Sequence, residues 1–213
     1  MRYLFALFTL GIILAGCGKQ DETHASLDPS SAIVDPSKVR PVTKEMELQA
    51  GLQEGKEMPE FKLPTTTGMT TNLQGLAGGK PAVLYFIQKR CPCCVEAEPF
   101  YTELSNAYKG KVAFIGIING NRTEADNWAK TNTFDWPIFC DEFGKVIRQL
   151  GVTTGVYTMV INPEGTIVKV FPGYSADSLQ QLTSLLGGLA KMEAPKLEFK
   201  SAPKKLATGC SFD

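Results

Sequence analysis

Histidine is almost absent: His24 stands alone, in a polar stretch near the N-terminus. A histidine general base is thereby excluded from any site built by the rest of the chain. Charge of one sign is also missing. Lys and Arg number 22, Asp and Glu 22, and no basic stripe recurs along the chain. Without such a stripe there is no electrostatic footprint for nucleic acid. Internal repeats are lacking. The apolar run Tyr3–Ile13 falls short of the about 20 residues of a membrane-spanning helix.

What the chain does have is sulfur: Cys17, Cys91, Cys93, Cys94, Cys140 and Cys210. Its 213 residues, 43% of them apolar, suffice for one good core and little more.

The first cysteine closes a targeting signal. Arg2 supplies a short positive region, Tyr3–Ile13 an apolar one, and Leu14-Ala15-Gly16-Cys17 follows. This resembles the lipobox of bacterial lipoproteins. The resemblance implies that residues 1–17 are a signal peptide with its lipobox, that Cys17 carries lipid and that the mature chain starts there. It also implies a place in the cell envelope, anchored to a membrane and facing the periplasm or the exterior. Gly18, rather than Asp, does not favour retention at an inner membrane. Disulfides persist in such a compartment. The five remaining cysteines are an odd number, so at least one thiol is unpaired or pairs between molecules.

Residues 18–54 are polar and lack a sustained period, which predicts a flexible tether with a helical turn over Glu45–Leu52. A folded domain is expected over 55–191 and a mobile tail over 192–213. Prolines mark 58–64 as an edge segment, and Thr65–Leu73 reads as a hairpin-like connection. Gly75–Lys80 reads as a loop. The unbroken apolar runs Ala82–Ile87 and Val112–Ile118 predict strands buried on both faces. Helices are expected over Glu96–Lys109, Glu124–Lys130 with Thr123 as cap, Asp141–Leu150 and Ala176–Leu189. Short strands fit Pro137–Phe139 and the hairpin Tyr157–Ile161 with Thr166–Phe171. This order implies an α/β fold, a central mixed β-sheet flanked by helices on both faces.

Three sulfurs, Cys91, Cys93 and Cys94, crowd into four positions directly after the first buried strand. A purely structural disulfide framework does not normally do this. At the start of a helix, N–H groups and the macrodipole favour the thiolate, the reactive form. Lys89 and Arg90 are expected to push in the same direction. Pro92 suits a first helical turn.

The arrangement resembles the thioredoxin-like superfamily. Cys91-x-x-Cys94 follows the central strand, Pro99 comes five residues later, and Gly151-Val152 precedes a strand ending in Asn162-Pro163-Glu164-Gly165. Met58-Pro59-Glu60-Phe61 and Val83-Leu84-Tyr85-Phe86 are most similar to its redoxin branch, which holds peroxiredoxins and membrane-anchored thioredoxin-like reductases. The resemblance implies a thioredoxin-like fold with a redoxin-type N-terminal extension. Gly209-Cys210-Ser211 is similar to the ending of some bacterial redoxin-domain proteins. Three departures stand out. The slot of the thioredoxin cis-proline holds Val156, with no proline between Gly151 and Asn162. The peroxiredoxin pattern wants Thr or Ser three residues before its thiol, where Cys91 stands if Cys94 is that thiol, and an Arg near Val156. Tyr85 takes the slot of the buried acid of thioredoxin.

The expected function is thiol–disulfide exchange with a thiol or disulfide partner protein, needing no organic cofactor. Cys91, exposed, is the expected nucleophile; Cys94, one turn inside, resolves the mixed disulfide. Lys89, Arg90, Cys93, Cys210 and Val156 are accessory candidates. Cys93 is either a small helix residue or a third sulfur, with Cys91 and Cys94, for a soft metal. A peroxiredoxin-like peroxidase and a metal-binding module are the alternatives. Cys140 reads as buried and inert. Cys210 reads as a resolving cysteine or as a pair for Cys140. Glu96 and Glu98 read as a solvated helix face.

Overall fold

The computed structural model describes residues 40–212. The signal segment, the lipidation residue Cys17 and His24 therefore lie outside the described residues.

The chain opens with β1 (Arg40–Pro41) and α1 (Lys44–Gly51), capped by the Thr43 hydroxyl, which accepts from the Met46 N–H. This corrects the expectation of a tether through residue 54. Ala50 is buried against the sheet, the Gln53 amide donates to the Tyr157 hydroxyl (3.0 Å), and Glu54 pairs with Lys169 (2.8 Å). A helix this short and polar is marginal alone and is fixed by these tertiary anchors, which composition does not reveal.

β2 (Leu63–Pro64) and β3 (Thr70–Thr71) make the expected hairpin-like connection. A short helix, α2 (Leu73–Ala77), then stands where a loop was expected. Asn72 caps it, and Gly78, at φ 60°, ends it. β4 (Ala82–Ile87) leads to α3 (Pro92–Ala107), and β5 (Ala113–Ile118) to α4 (Arg122–Thr131). The α4 cap is Asn121 rather than Thr123, because Asn121 and Glu124 satisfy each other's backbone N–H groups. β6 (Ile138–Cys140) precedes α5 (Lys145–Gln149). That helix starts later than Asp141. Gly144 turns left-handed (φ 62°), and the Asp141 carboxylate spans the turn to accept from the Ile147 N–H (2.8 Å). β7 (Tyr157–Ile161), β8 (Ile167–Phe171), α6 (Ala176–Ala190) and β9 (Ala207–Thr208) complete the chain.

The main sheet has the order β6-β5-β4-β7-β8. β4, β5 and β6 run parallel, and β7 and β8 are antiparallel to their neighbours. Every residue of β4 is buried, as an unbroken apolar run predicts. Val83, Tyr85 and Ile87 face a core shared with α3, α4 and α6; Leu84 and Phe86 face one shared with α1, α2 and α5. The chain thus forms the expected α/β layers, helices on both faces of a mixed sheet.

The expected mobile tail is also corrected. Phe199 and Ala202 are buried, and β9 pairs with β1. Ala207 exchanges two backbone hydrogen bonds with Tyr174 (2.7 and 2.9 Å), an approach that only glycine at 173 permits, since a Cβ there would strike the Ala207 carbonyl. The last residues continue as a strap toward the loop before β7.

Candidate functional site

β4 delivers the chain to a tight loop at the N-terminus of α3. The Cys91 N–H donates to the Gln88 carbonyl (3.0 Å), the Arg90 N–H to the Gln88 side chain (2.7 Å) and the Lys89 N–H to Asn119 Oδ1 (2.9 Å). Cys91 is the N-cap residue of α3, and Pro92 lies in its first turn. Cys94 sits one turn inside, its N–H donating to the Cys91 carbonyl (3.1 Å). Pro99 lies within α3 without ending it.

The two thiols meet. A hydrogen bond from Cys94 is the largest influence on Cys91; burial opposes it, and the backbone N–H and thiol of Cys210 add to it. The outcome is a Cys91 thiol lowered to about 5. Burial, then Cys91 itself, pushes Cys94 well up. One sulfur is therefore a thiolate and its neighbour a proton-bearing donor at neutral pH. The cause differs from the expected one, because Lys89 and Arg90 count for less than these hydrogen bonds. Lys89 is held by Glu124 (2.6 Å), and Arg90 is exposed to solvent.

Cys91 is not exposed as expected: only 2% of its surface is accessible. The strap covers it. The Cys210 N–H donates to Cys91 Sγ (3.0 Å), and a Cβ built on Gly209 would stand 3.1 Å from that sulfur. A groove of about 540 Å3 borders the site, lined by Lys89, Arg90, Cys91, Pro92, Val95 and Trp128 among others.

Behind the thiols lie aromatic hydroxyls. Tyr85 donates to the Cys94 carbonyl (3.2 Å), and its ring lies 4.4 Å from that of Tyr101, whose hydroxyl hydrogen-bonds Thr158 (2.8 Å). Burial and, next, the Cys94 sulfur push the Tyr85 hydroxyl well up, so it stays a neutral donor.

Val156 is fully buried beside the thiols at φ 57°, an outlier for a β-branched residue. Its N–H donates to the Phe86 carbonyl (3.0 Å). Proline could adopt neither that φ nor that bond, which accounts for its absence from this slot. Gly155 fits by closeness: a Cβ would lie 2.7 Å from Cys94 Sγ. Sequence reasoning passed over this glycine, although its place next to Val156 pointed to it.

The other candidates divide. Cys93 is half-buried and pushed up to about 12 by burial and then by the Cys91 charge. Cys140 is buried at the end of β6, with its thiol raised by burial, as an inert thiol should be. Cys210 is held at Cys91, two strands away from Cys140, so the Cys140 pairing is not what the structure assembles. Among the described residues no three His, Cys, Asp or Glu side chains are arranged to hold a metal ion, which leaves the Cys91, Cys93 and Cys94 metal alternative without geometric support. Glu96 is exposed as expected. Glu98 is not: it is 6% exposed, its carboxyl accepts from the Thr102 hydroxyl, and burial raises it.

Residues 55–170 match the model of the AhpC/TSA family. The thioredoxin-like protein YneN of Bacillus subtilis (strain 168) is 28% identical over 129 residues, covering 59% of this chain and 75% of that protein. The thiol-disulfide oxidoreductase ResA of the same organism is 28% identical over 130 residues, covering 60% of this chain and 72% of its own. Among solved structures, peroxidoxin BcpB from Mycobacterium tuberculosis has a TM-score of 0.56 at 24% identity, over 66% of this chain and 98% of its own. At that identity the likeness speaks to fold, and the fold is the thioredoxin-like one expected.

Proposed function

We propose, from the premise that the chain belongs to the AhpC/TSA family, that it is a thiol–disulfide oxidoreductase acting on a partner protein through Cys91 and Cys94. The observation that carries this reading is the contact between the two thiols at the N-terminus of α3. A low-pKa sulfur beside a protonated one, at a groove, is what exchange needs. The similarity to ResA, a thiol-disulfide oxidoreductase by name, supports it.

The Cys91 thiolate attacks one sulfur of a partner disulfide. A Cys91–partner bond forms, the partner S–S bond breaks, and the leaving thiolate takes a proton. Cys94 then loses its proton and attacks the Cys91 sulfur. The second partner thiol leaves, and the partner is reduced by two electrons as Cys91–Cys94 forms. Each step reverses, so the same pair can oxidise a partner dithiol. Another thiol protein supplies the electrons that restore the reduced pair.

The chain is further proposed to work in the cell envelope, held to a membrane by lipid on Cys17, on the strength of Leu14-Ala15-Gly16-Cys17.

Cys94→Ser combined with Cys210→Ser, which removes the other thiol beside Cys91, should leave partner proteins trapped as mixed disulfides on Cys91, and Cys91→Ser should trap none. Equal reduction of a model protein disulfide by the wild type and by Cys91→Ser would sink the reading. Peroxide consumption with a dithiol donor, in place of disulfide exchange, would favour the peroxidase. Stoichiometric metal uptake by the reduced protein would favour the metal-binding module.

A further inference from the structure

Two thiols at the site, Cys93 and Cys210, have no part in the exchange between Cys91 and Cys94. Cys210 lies on the C-terminal strap, and the strap is bound as an extended peptide is bound. The Gly155 N–H donates to the Cys210 carbonyl (2.8 Å), and the Gly209 N–H donates back to the Gly155 carbonyl (3.0 Å). Reciprocal bonds of this kind are how an added strand docks on a free edge. The pairing continues on either side. Thr154 and Thr208 join hydroxyls (2.8 Å), and the Phe212 N–H donates to the Thr153 carbonyl (3.0 Å). Close approach is built in: a Cβ on Gly209 would lie 2.7 Å from the Gly155 backbone. The result places the backbone N–H of Cys210 3.0 Å from Cys91 Sγ, with its thiol also in hydrogen-bond reach of that sulfur.

We propose that Cys210 is a third redox thiol and that the strap is a tethered substrate, which closes a Cys91–Cys210 disulfide within one chain. The inference rests on the proposed function for the origin of the Cys91–Cys94 disulfide. From that state, Cys210 loses its proton and attacks Cys91 Sγ. The Cys91–Cys210 bond forms, the Cys91–Cys94 bond breaks, and Cys94 leaves as a thiolate that takes up a proton. No net oxidation occurs, so no further oxidant is needed. Electrostatics orders the events. In the reduced site, burial and then the Cys91 thiolate hold the Cys210 thiol protonated. Oxidation of Cys91 removes that charge, so burial alone then opposes ionisation of Cys210 and its attack becomes easier. A site closed in this way releases Cys94 and bars Cys91 from a second partner until the bridge is reduced.

The test uses the full chain. Reduced Cys94→Ser is treated with diamide at micromolar protein, and its disulfides are mapped by mass spectrometry without reduction. The Cys91–Cys210 bridge should exceed chain-to-chain disulfides about a hundredfold, since a docked thiol acts at millimolar effective concentration or more. Adding Gly209→Val should lift the strap and abolish the bridge. Cys91 found mainly in chain-to-chain links or bridged to Cys93 overturns the proposal. Persistence of the bridge in the Gly209→Val form overturns it too, because docking would not be its cause. Disulfide exchange with a partner, measured separately on the wild type, decides the functional reading and is independent of this mapping.

Discussion

The backbone N–H of Cys210 caps Cys91 Sγ across 3.0 Å, although the two residues lie 119 positions apart. The nucleophile is thus both buried and ionised. Burial alone would raise a thiol. Here hydrogen bonds from Cys94 and Cys210 outweigh it, and the fold obtains a reactive sulfur without a neighbouring histidine.

Titration of Cys91 tests that balance. With the thiol lowered from an ordinary value near 9 to about 5, alkylation by iodoacetamide should reach half its plateau near pH 5. Cys94→Ala removes the largest lowering influence, so the midpoint should move up toward the ordinary thiol range. A wild-type midpoint already in that range would refute the account. Stability follows with a defined sign. The folded value lies below the unfolded one, so this group stabilises the reduced protein fully above the unfolded value, and the stabilisation is lost as pH falls toward 5. In urea unfolding, the difference between the wild type and Cys91→Ala should therefore grow from pH 5 to pH 8.

Val156 makes the missing proline testable. Val156→Pro would impose φ near −65° where the backbone holds 57° and would delete the N–H that bonds Phe86. A loss of about 3 kcal/mol or more is expected from urea unfolding. An unchanged midpoint would mean that the loop before β7 can switch to the proline-compatible form.

Some of this was legible in the residues and some was not. β4 and β5 announce themselves because strands buried on both faces must be apolar throughout. Cys91 and Cys94 stand out because reactive sulfur belongs at a helix start. The strap was hidden for a physical reason. Its hold on Gly155, Tyr174 and Val42 is made by backbone groups, which every residue carries. The same applies to β1, two exposed residues that reveal themselves only through their pairing with β9. Counting back from Asn162 leads to Val156, just before β7, yet no side chain signals its left-handed φ. Glu98 was readable and was missed: Cys94, Ala97, Glu98, Tyr101 and Leu104 lie at helical spacing and are all buried.

Gly155 should tolerate no side chain. A Cβ would stand 2.7 Å from the fully buried Cys94 sulfur and 3.3 Å from the Gln88 backbone nitrogen, so either the thiol or the loop must shift. Gly155→Ala should cost about 1–3 kcal/mol, as overpacking does. It should also slow closure of the Cys91–Cys94 disulfide, because Cys94 is the atom displaced. Stability and closure rate both equal to wild type would show that the site has slack which these distances deny.

Glu98 should contribute a preference for mild acid, and its amide should remove that contribution. Burial is the main influence on its carboxyl and raises it, the Thr102 hydroxyl opposes this, and Asp135 adds to the rise. A carboxyl whose folded value lies above its unfolded one favours folding when protonated. Its penalty is absent below the unfolded value of about 4.5 and grows as pH rises through the folded one. Gln has the same shape, bears no charge and keeps an oxygen to accept from Thr102. Glu98→Gln should therefore match the wild type in urea unfolding at pH 4 and exceed it at pH 7. A variant less stable than the wild type at pH 7 would show that the ionised carboxylate is needed where it lies, and that the Thr102 bond outweighs the cost of its burial.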